Sequence, residues 1–358
     1  MQIQVVRPTE LSRELLAAWS AIQETEPTLD SPFFRPEFAL AMDAVRGDVQ
    51  VGVLEEGGQA IGFFPYHRTG SGCAAPLGLQ LSGFEGIVAR PNVACNPGEL
   101  IRGCGLSAWR FDHLPTSQHI FEPYVVLRAE SPWIDLSGGL ESYSRGLGKA
   151  AAHQLSETRR RIRRLTRELA APRFEMNCCD PAIVDLLIRW KDEQCRRTGV
   201  ASVFELPWVE PLLKRLLEPR DDSLRAMMSV AYFGDRVAAI HYGLRSGRVL
   251  HSMLPVYDAA FARHSPGLVL YYELIDRGES LGLRRIDMGK GDASYKTNLA
   301  NGSCALAEGT VDLRLGQGVV WRGWLRTRHW LRTSWLRKPA HRVNRIVCGI
   351  RNWLGRAR

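Results

Sequence analysis

Apolar positions change their period several times along the chain, and each change marks an element. Residues 2–7 (QIQVVR) alternate like an opening strand. From Glu10 to Glu24 the period lengthens, and Leu11, Leu15, Trp19 and Ile22 fall on one side of a helix. Ser31-Pro32 opens a second helix through Phe34, Phe38 and Met42, which stops at Gly47. Residues 49–54 and 60–67 flank Glu-Glu-Gly-Gly and predict a hairpin. Residues 70–105 are rich in Gly and Pro, and the pattern leaves their elements open. Short strands are expected at 111–114 and 124–127. Ser131-Pro132 through Gly138-Gly139 reads as a break.

Past that break a polar helix is expected over about 140–170. Its apolar stripe is thin: Leu155, Ile162, Leu165 and Leu169. Its other sides carry Arg159, Arg160, Arg161, Arg163, Arg164 and Arg167. A strand (173–178) and helices at 181–197 and 207–217 follow. Strands at 226–233, 237–244 and 249–254 are joined by the turns Gly234-Asp235 and Ser246-Gly247. A helix begins after Ser265, a strand ends at Met288, a glycine-spaced loop runs to Tyr295-Lys296, and a last strand is expected at 310–315. Both halves share a similar order of elements without a direct repeat, which suggests a duplicated α/β unit.

A length of 358 residues suits two domains with ample core. Apolar residues are 45% and charged residues 24%, the ordinary balance of a soluble globular protein. No run of 18 uncharged apolar residues predicts a membrane span, and no basic-then-apolar leader predicts secretion. Eight scattered cysteines without CxxC suit a reduced cytoplasm. Cys95, Cys104 and His113 match no zinc spacing, so no metal is expected.

Charge changes this picture at one end. Residues 319–358 hold 11 Lys and Arg, no Asp or Glu, and five of the ten tryptophans. Taking those eleven from the net +9 leaves the body at −2. Val343, Ile346, Val347, Ile350, Trp353 and Leu354 recur at helical spacing, and Val320, Trp321, Trp324, Leu325, Leu331 and Trp335 share an earlier arc. Basic, tryptophan-bearing amphipathic helices lie on anionic membranes. The same stripes would also serve to pack on the body or to meet nucleic acid. The Arg159–Arg167 run likewise fits either phosphates or a solvated helix face.

Candidate chemistry gathers late in the chain. Ser265-Pro266-Gly267-Leu268 suits a helix start with Ser265 as cap, and Arg263 and His264 precede it. A helix N-terminus favours an anion, here a pyrophosphate; the plainer role is a well-capped core helix. His241 lies in an apolar strand, as a base or as a hydrogen-bonded structural residue. Tyr257 either touches substrate or covers the core. Asp287 ends a strand, either to take a proton or to brace the Gly289 and Gly291 amides. Tyr295 would protonate a leaving group or pack. Lys296 would stabilise developing charge or sit on the surface.

The Arg-rich helix, the His241 strand, Tyr257, Ser265-Pro266-Gly267 and Asp287-x-Gly-x-Gly-x3-Tyr295-Lys296 together resemble the acetyltransferase-like domain of CelD-type cellulose and exopolysaccharide biosynthesis proteins. That domain belongs to the GNAT superfamily and is related to the FemABX aminoacyltransferases. The resemblance covers about residues 140–300, and PFFRPEFA and IGFFPYHR resemble the preceding part of the same proteins. It implies two tandem GNAT-like α/β units: an N-terminal domain (1–135), an acyltransferase domain (136–318) and the basic tail (319–358). It implies transfer of an acyl group, acetyl above all, from acyl-CoA to an amine or hydroxyl of an exopolysaccharide or cell-envelope precursor. A glycan or lipid-linked sugar would accept it at the inner membrane face, with the protein cytoplasmic and peripheral. Arg263, His264, Ser265, Gly267 and Leu268 would hold the donor's pyrophosphate. Asp287, His241, Tyr295, Lys296 and Tyr257 would serve the chemistry. The usual phosphate loop, [Q/R]-x-x-G-x-[G/A], is altered: Pro266 replaces its first glycine, and Gly267 is displaced by one. A FemABX-like enzyme would take aminoacyl-tRNA as donor instead, which the arginine helix suits. A non-catalytic subunit of a polysaccharide synthase is the third reading.

Overall fold

The computed structural model describes residues 1–333 except 71, 91–92, 169–170 and 219–222. The first half runs β1 (Gln2–Val6), α1 (Arg13–Thr25), α2 (Pro36–Arg46), β2 (Val49–Glu56), β3 (Gln59–Arg68), β4 (Cys73–Pro76), β5 (Val88–Ala89), α3 (Pro97–Gly103), β6 (Ala108–Pro115) and β7 (Val125–Asp135). The second runs α4 (Gly139–Arg145), α5 (Lys149–Glu168), β8 (Arg173–Glu175), α6 (Pro181–Thr198), α7 (Val209–Leu217), β9 (Arg225–Phe233), β10 (Arg236–Ser246), β11 (Val249–Tyr257), α8 (Pro266–Asp276), β12 (Arg285–Asp287), α9 (Ser294–Leu299), β13 (Gly302–Asp312) and α10 (Gln317–Thr333).

Among the described residues all thirteen strands share one sheet, ordered β1-β2-β3-β4-β6-β13-β7-β12-β11-β10-β9-β8, with β5 beside β3. Only two pairs in it are parallel, β4 with β6 and β11 with β12. Parallel neighbours need a crossover; α3 lies within the first and α8 forms the second. From either edge the order is therefore the same: four antiparallel strands, a parallel step, then one of the central pair. That pair is exchanged. β13, from late in the chain, lies against β6, and β7, from the first half, lies against β12.

Helices cover both faces. Trp19 of α1 is fully buried, stacks on Phe63 at 4.9 Å and donates its indole N–H to the Phe34 carbonyl at 2.8 Å. With Phe38, Val184, Leu212 and Leu213 it joins a core that continues from the first half into the second. Leu270, Leu274 and Ile275 of α8 pack with Leu155 of α5 on another face of the second half. Each such side chain contributes about 1.5–3 kcal/mol by leaving water.

Several expectations shift in the structure. The break falls later than Ser131-Pro132: both residues lie inside β7, which ends at Asp135. Proline supplies no N–H, but the Pro132 carbonyl still accepts from Met288 N at 2.9 Å. The polar helix is split, α4 ending before α5 begins at Lys149. The last strand begins at Gly302, eight residues before the expected start. Tyr295 and Lys296 sit on α9, a short helix, not in a loop. The tail expectation falls mostly on residues 334–358, outside those described. What is described, α10, packs partly on the body: Leu325 is buried, Trp321 stacks on Trp324 at 4.6 Å, and the Arg110 guanidinium lies 3.7 Å over the Trp321 ring. Val319, Val320 and Trp324 remain exposed.

Candidate active site

The site is built where β11 leaves β12. The two strands pair for three residues only, Val249 with Arg285, Leu250 with Ile286 and His251 with Asp287. β12 ends there, while β11 runs on to Tyr257. Toward β10, Gly243 faces Ser252 and Tyr242 faces Leu254, so Met253 is an extra residue. A β-bulge bends its strand and re-aims side chains. Here it falls just past the last β11–β12 pair and opens a fork between β11 and the Met288–Ala293 loop.

Asp287 lies at the base of the fork, fully buried, with neither carboxylate oxygen hydrogen-bonded. Its Oδ2 is 3.4 Å from Arg285 Nε and 3.9 Å from His251 Nδ1. Burial lifts its pKa to about 6, against the pull of Arg285. It does not brace the glycine amides; Gly291 N donates to the Glu130 carbonyl instead, at 3.1 Å. His251, whose place in the strand gave it no prominence in the sequence, is held edge-on by Phe33 and Phe84 from the first half. Burial keeps it neutral, its pKa down to about 3.

Lys296 is half-buried, and its ammonium donates to the Gly289 and Lys290 carbonyls at 3.0 and 3.1 Å. Burial first, then the Lys191 charge, lowers its pKa to about 8. Gly289 adopts φ +74°, which favours glycine. A β-carbon on it would lie 3.6 Å from His251 Nε2, 3.7 Å from Lys296 Nζ and 3.7 Å from the Ser252 carbonyl. The missing side chain thus leaves a space on which an imidazole, an ammonium and a carbonyl converge.

A second group lies toward α8. His241 is buried with both ring nitrogens free of hydrogen bonds, and burial lowers its pKa to about 4. It meets Tyr271 edge-on at 5.3 Å. The Tyr271 and Ser252 hydroxyls are 2.5 Å apart, and the Tyr295 ring is 6.0 Å from that of Tyr271.

The far end of β11 meets the start of α8. Tyr257 is exposed and lies 3.8 Å from where a β-carbon on Gly267 would be. Ser265 occupies the cap position but does not cap with its side chain. It takes φ 50° and ψ 56°, a left-handed conformation that costs a non-glycine residue about 1–2 kcal/mol. Its hydroxyl accepts from Arg161 Nη1 at 2.8 Å, which ties the arginine helix to this end. Arg159 Nε donates to the Tyr272 hydroxyl at 2.7 Å, while Arg160 and Arg164 pair with Glu157 and Glu168 on their own helix. Arg263 donates to the buried His264 ring at 2.8 Å, and Leu268 packs into the core. The corresponding helix of the first half, α3, is shorter and fully capped: Asn96 accepts from Gly98 N and Glu99 N. A hollow of about 400 Å³ bordered by Arg7, Asp48, Gln50 and Arg68 lies in the first half, among other residues than these.

The chain from α5 through α9 therefore carries the forked strands, the uncapped helix and the convergent side chains. Residues 152–297, nearly the same stretch, match the family model described as Acetyltransferase (GNAT) domain. No curated protein matches the chain. Among solved structures FemX is similar over 90% of this chain and 99% of its own, at 8% identity and a TM-score of 0.57. The C-terminal domain (DUF2156) of a putative lysylphosphatidylglycerol synthetase from Agrobacterium fabrum is similar over 88% and 97%, at 16% identity and 0.54. L-PGS from Bacillus licheniformis is similar over 88% and 95%, at 12% identity and 0.53. These likenesses are of fold. The protein has a mixed α/β fold whose halves follow a similar strand order within one sheet, and residues 152–297 match a GNAT acetyltransferase domain.

Proposed function

We propose that the protein transfers an acyl group from acyl-CoA to an amine or hydroxyl of a cell-envelope or exopolysaccharide precursor. The observation that carries this is the space at Gly289, where His251 Nε2, Lys296 Nζ and the Ser252 carbonyl meet beside Asp287. Donor phosphates fit the other end of β11, where the α8 N-terminus has no side-chain cap and Arg161 and Arg263 stand by. A Cβ at Gly267 would meet Tyr257 at 3.8 Å, so the backbone there is open to close approach. Bound acyl-CoA supplies an activated thioester.

In this reading the acceptor nitrogen or oxygen attacks the thioester carbonyl, the new C–N or C–O bond forms and the C–S bond breaks. Asp287 takes the acceptor's proton, and Tyr295 supplies one to the departing thiolate. Lys296 offsets the charge on the carbonyl oxygen. Among the described residues no helix is long and apolar enough to cross a membrane. The basic tail supports peripheral attachment to an anionic surface, where a lipid-linked acceptor would be met. Calorimetric titration with acetyl-CoA, followed by transfer of a labelled acetyl group to a lipid-linked sugar on anionic vesicles, tests the proposal. Absence of acetyl-CoA binding refutes it.

One observation favours a second reading. The likeness to FemX spans both halves of the chain, and the arginines of α5 suit the phosphates of a FemABX-like aminoacyl-tRNA donor. Retention of labelled aminoacyl-tRNA without acetyl-CoA binding would select it.

A further inference from the structure

A second cluster of ionisable groups lies in the first half, outside the fork. Across from Glu308, β6 carries one residue too many: Ala307 faces Leu114 and Gly309 faces Phe111. Asp112 and His113 fill that bulge, and such bulges re-aim neighbouring side chains. Glu85 comes to them from the loop before β5. Its Oε1 accepts the backbone N–H groups of both Asp112 and His113, the latter at 2.7 Å. Its Oε2 has no hydrogen-bond partner, although the residue is only 4% exposed. His113 Nδ1 is 2.5 Å from Asp112 Oδ1. One ligand atom from each residue lies within 4.8 Å of the others.

We infer that Glu85, Asp112 and His113 form a site for a divalent transition-metal ion, of the zinc or manganese kind. Two carboxylates and one imidazole are a donor set that such ions accept. Donors each about 2.1 Å from a shared ion lie about 3.4 Å apart in a tetrahedron. The 4.8 Å spread closes to this by side-chain rotation, while the pair at 2.5 Å opens. The ion takes the place of the hydrogen bond between His113 Nδ1 and Asp112 Oδ1, and the imidazole keeps its proton on the other ring nitrogen. It also gives the unpartnered Glu85 oxygen a ligand. Lys290 donates to the Asp112 backbone carbonyl at 2.5 Å and lies 3.9 Å from Glu308, and Arg328 pairs with Glu308, so neither is bonded to the carboxylates of the site.

The site would fasten the loop that seats His251. Phe84, next to Glu85, packs against the His251 ring with centroids 5.5 Å apart. A β-carbon on Gly83 would meet His251 Nε2 at 2.1 Å. An ion on Glu85 therefore stiffens one wall of the fork without touching the groups assigned to transfer, and the inference stands apart from that assignment.

The test uses the full-length protein, chelator-stripped and kept reduced. Titration with Mn²⁺ followed by electron paramagnetic resonance avoids the cysteines, which bind manganese poorly. Zn²⁺ calorimetry reads the stoichiometry and affinity. One equivalent of saturable binding is expected, with a raised Tm. Glu85→Gln and His113→Gln should each weaken binding more than about 100-fold. Circular dichroism checks that both variants fold. If the unsubstituted protein binds no equivalent of either ion, or folded variants bind as it does, the site does not exist.

Discussion

Asparagine at position 287 should slow the enzyme and stabilise the fold. In the unfolded chain the Asp287 carboxyl titrates near 3.8; folded, burial holds it at about 6. Between those values the folded protein keeps a proton that the unfolded chain has lost. The stability linked to this group is therefore greatest below pH 4, declines as pH rises to 6, and stays low above. The shift corresponds to about 3 kcal/mol, the cost of burying the carboxylate anion less what the Arg285 charge 3.4 Å away returns. Asp287→Asn has no charge to bury and recovers that amount at pH 8 and almost none at pH 4. For a chain of this length, 3 kcal/mol is about 4 °C in Tm. Acyl transfer in the same variant should fall by about 10²–10⁴ if Asp287 is the base. The assay pairs thermal unfolding of both proteins at pH 4.5, 6 and 8 with initial rates at pH 8. An equal Tm difference at all three pH values would refute the buried-anion account. Rates within twofold of the unsubstituted enzyme would remove Asp287 from the chemistry.

Two further substitutions probe the ends of the fork. Gly83→Ala places a carbon 2.1 Å from His251 Nε2 and 2.8 Å from the Phe33 ring. It should cost about 1–3 kcal/mol in urea denaturation, and an unchanged midpoint would contradict the close contact. Arg161→Ala removes the 2.8 Å bond to Ser265 and a cation at the α8 N-terminus. The KM for acyl-CoA should rise about tenfold with kcat little changed; a loss confined to kcat would count against a donor-binding role.

Much of the frame was legible because its signals are local. Glycine turns and strand periods placed β9, β10 and β11, and Ser265-Pro266 placed the start of α8. Asp287 and Lys296 bracket a glycine-spaced loop, which marks them in the sequence. His251 has no such mark, because its meaning comes from Asp287, 36 positions later on a parallel strand. The bulge at Met253 was hidden too: a one-residue slip leaves no signature in an apolar run. Gly302-Ser303-Cys304-Ala305 lacks β-branched residues, so the first part of β13 escaped notice. By its place before Pro266, Ser265 reads as a cap with its own oxygen. Arg161, more than a hundred residues earlier, takes that oxygen, and no local pattern announces such a partner.

The exchanged central strands set an order in time. During synthesis β6 and β7 are complete by Asp135, yet the neighbour that joins them begins only at Gly302. At about 5–20 residues per second, the ribosome needs roughly 10–30 s to bridge that gap. Through that interval the inner edge of the first unit has no strand to pair with, a state in which nascent chains bind chaperones or one another. A gene cut between the halves would leave β6 and β7 without the strand that lies between them.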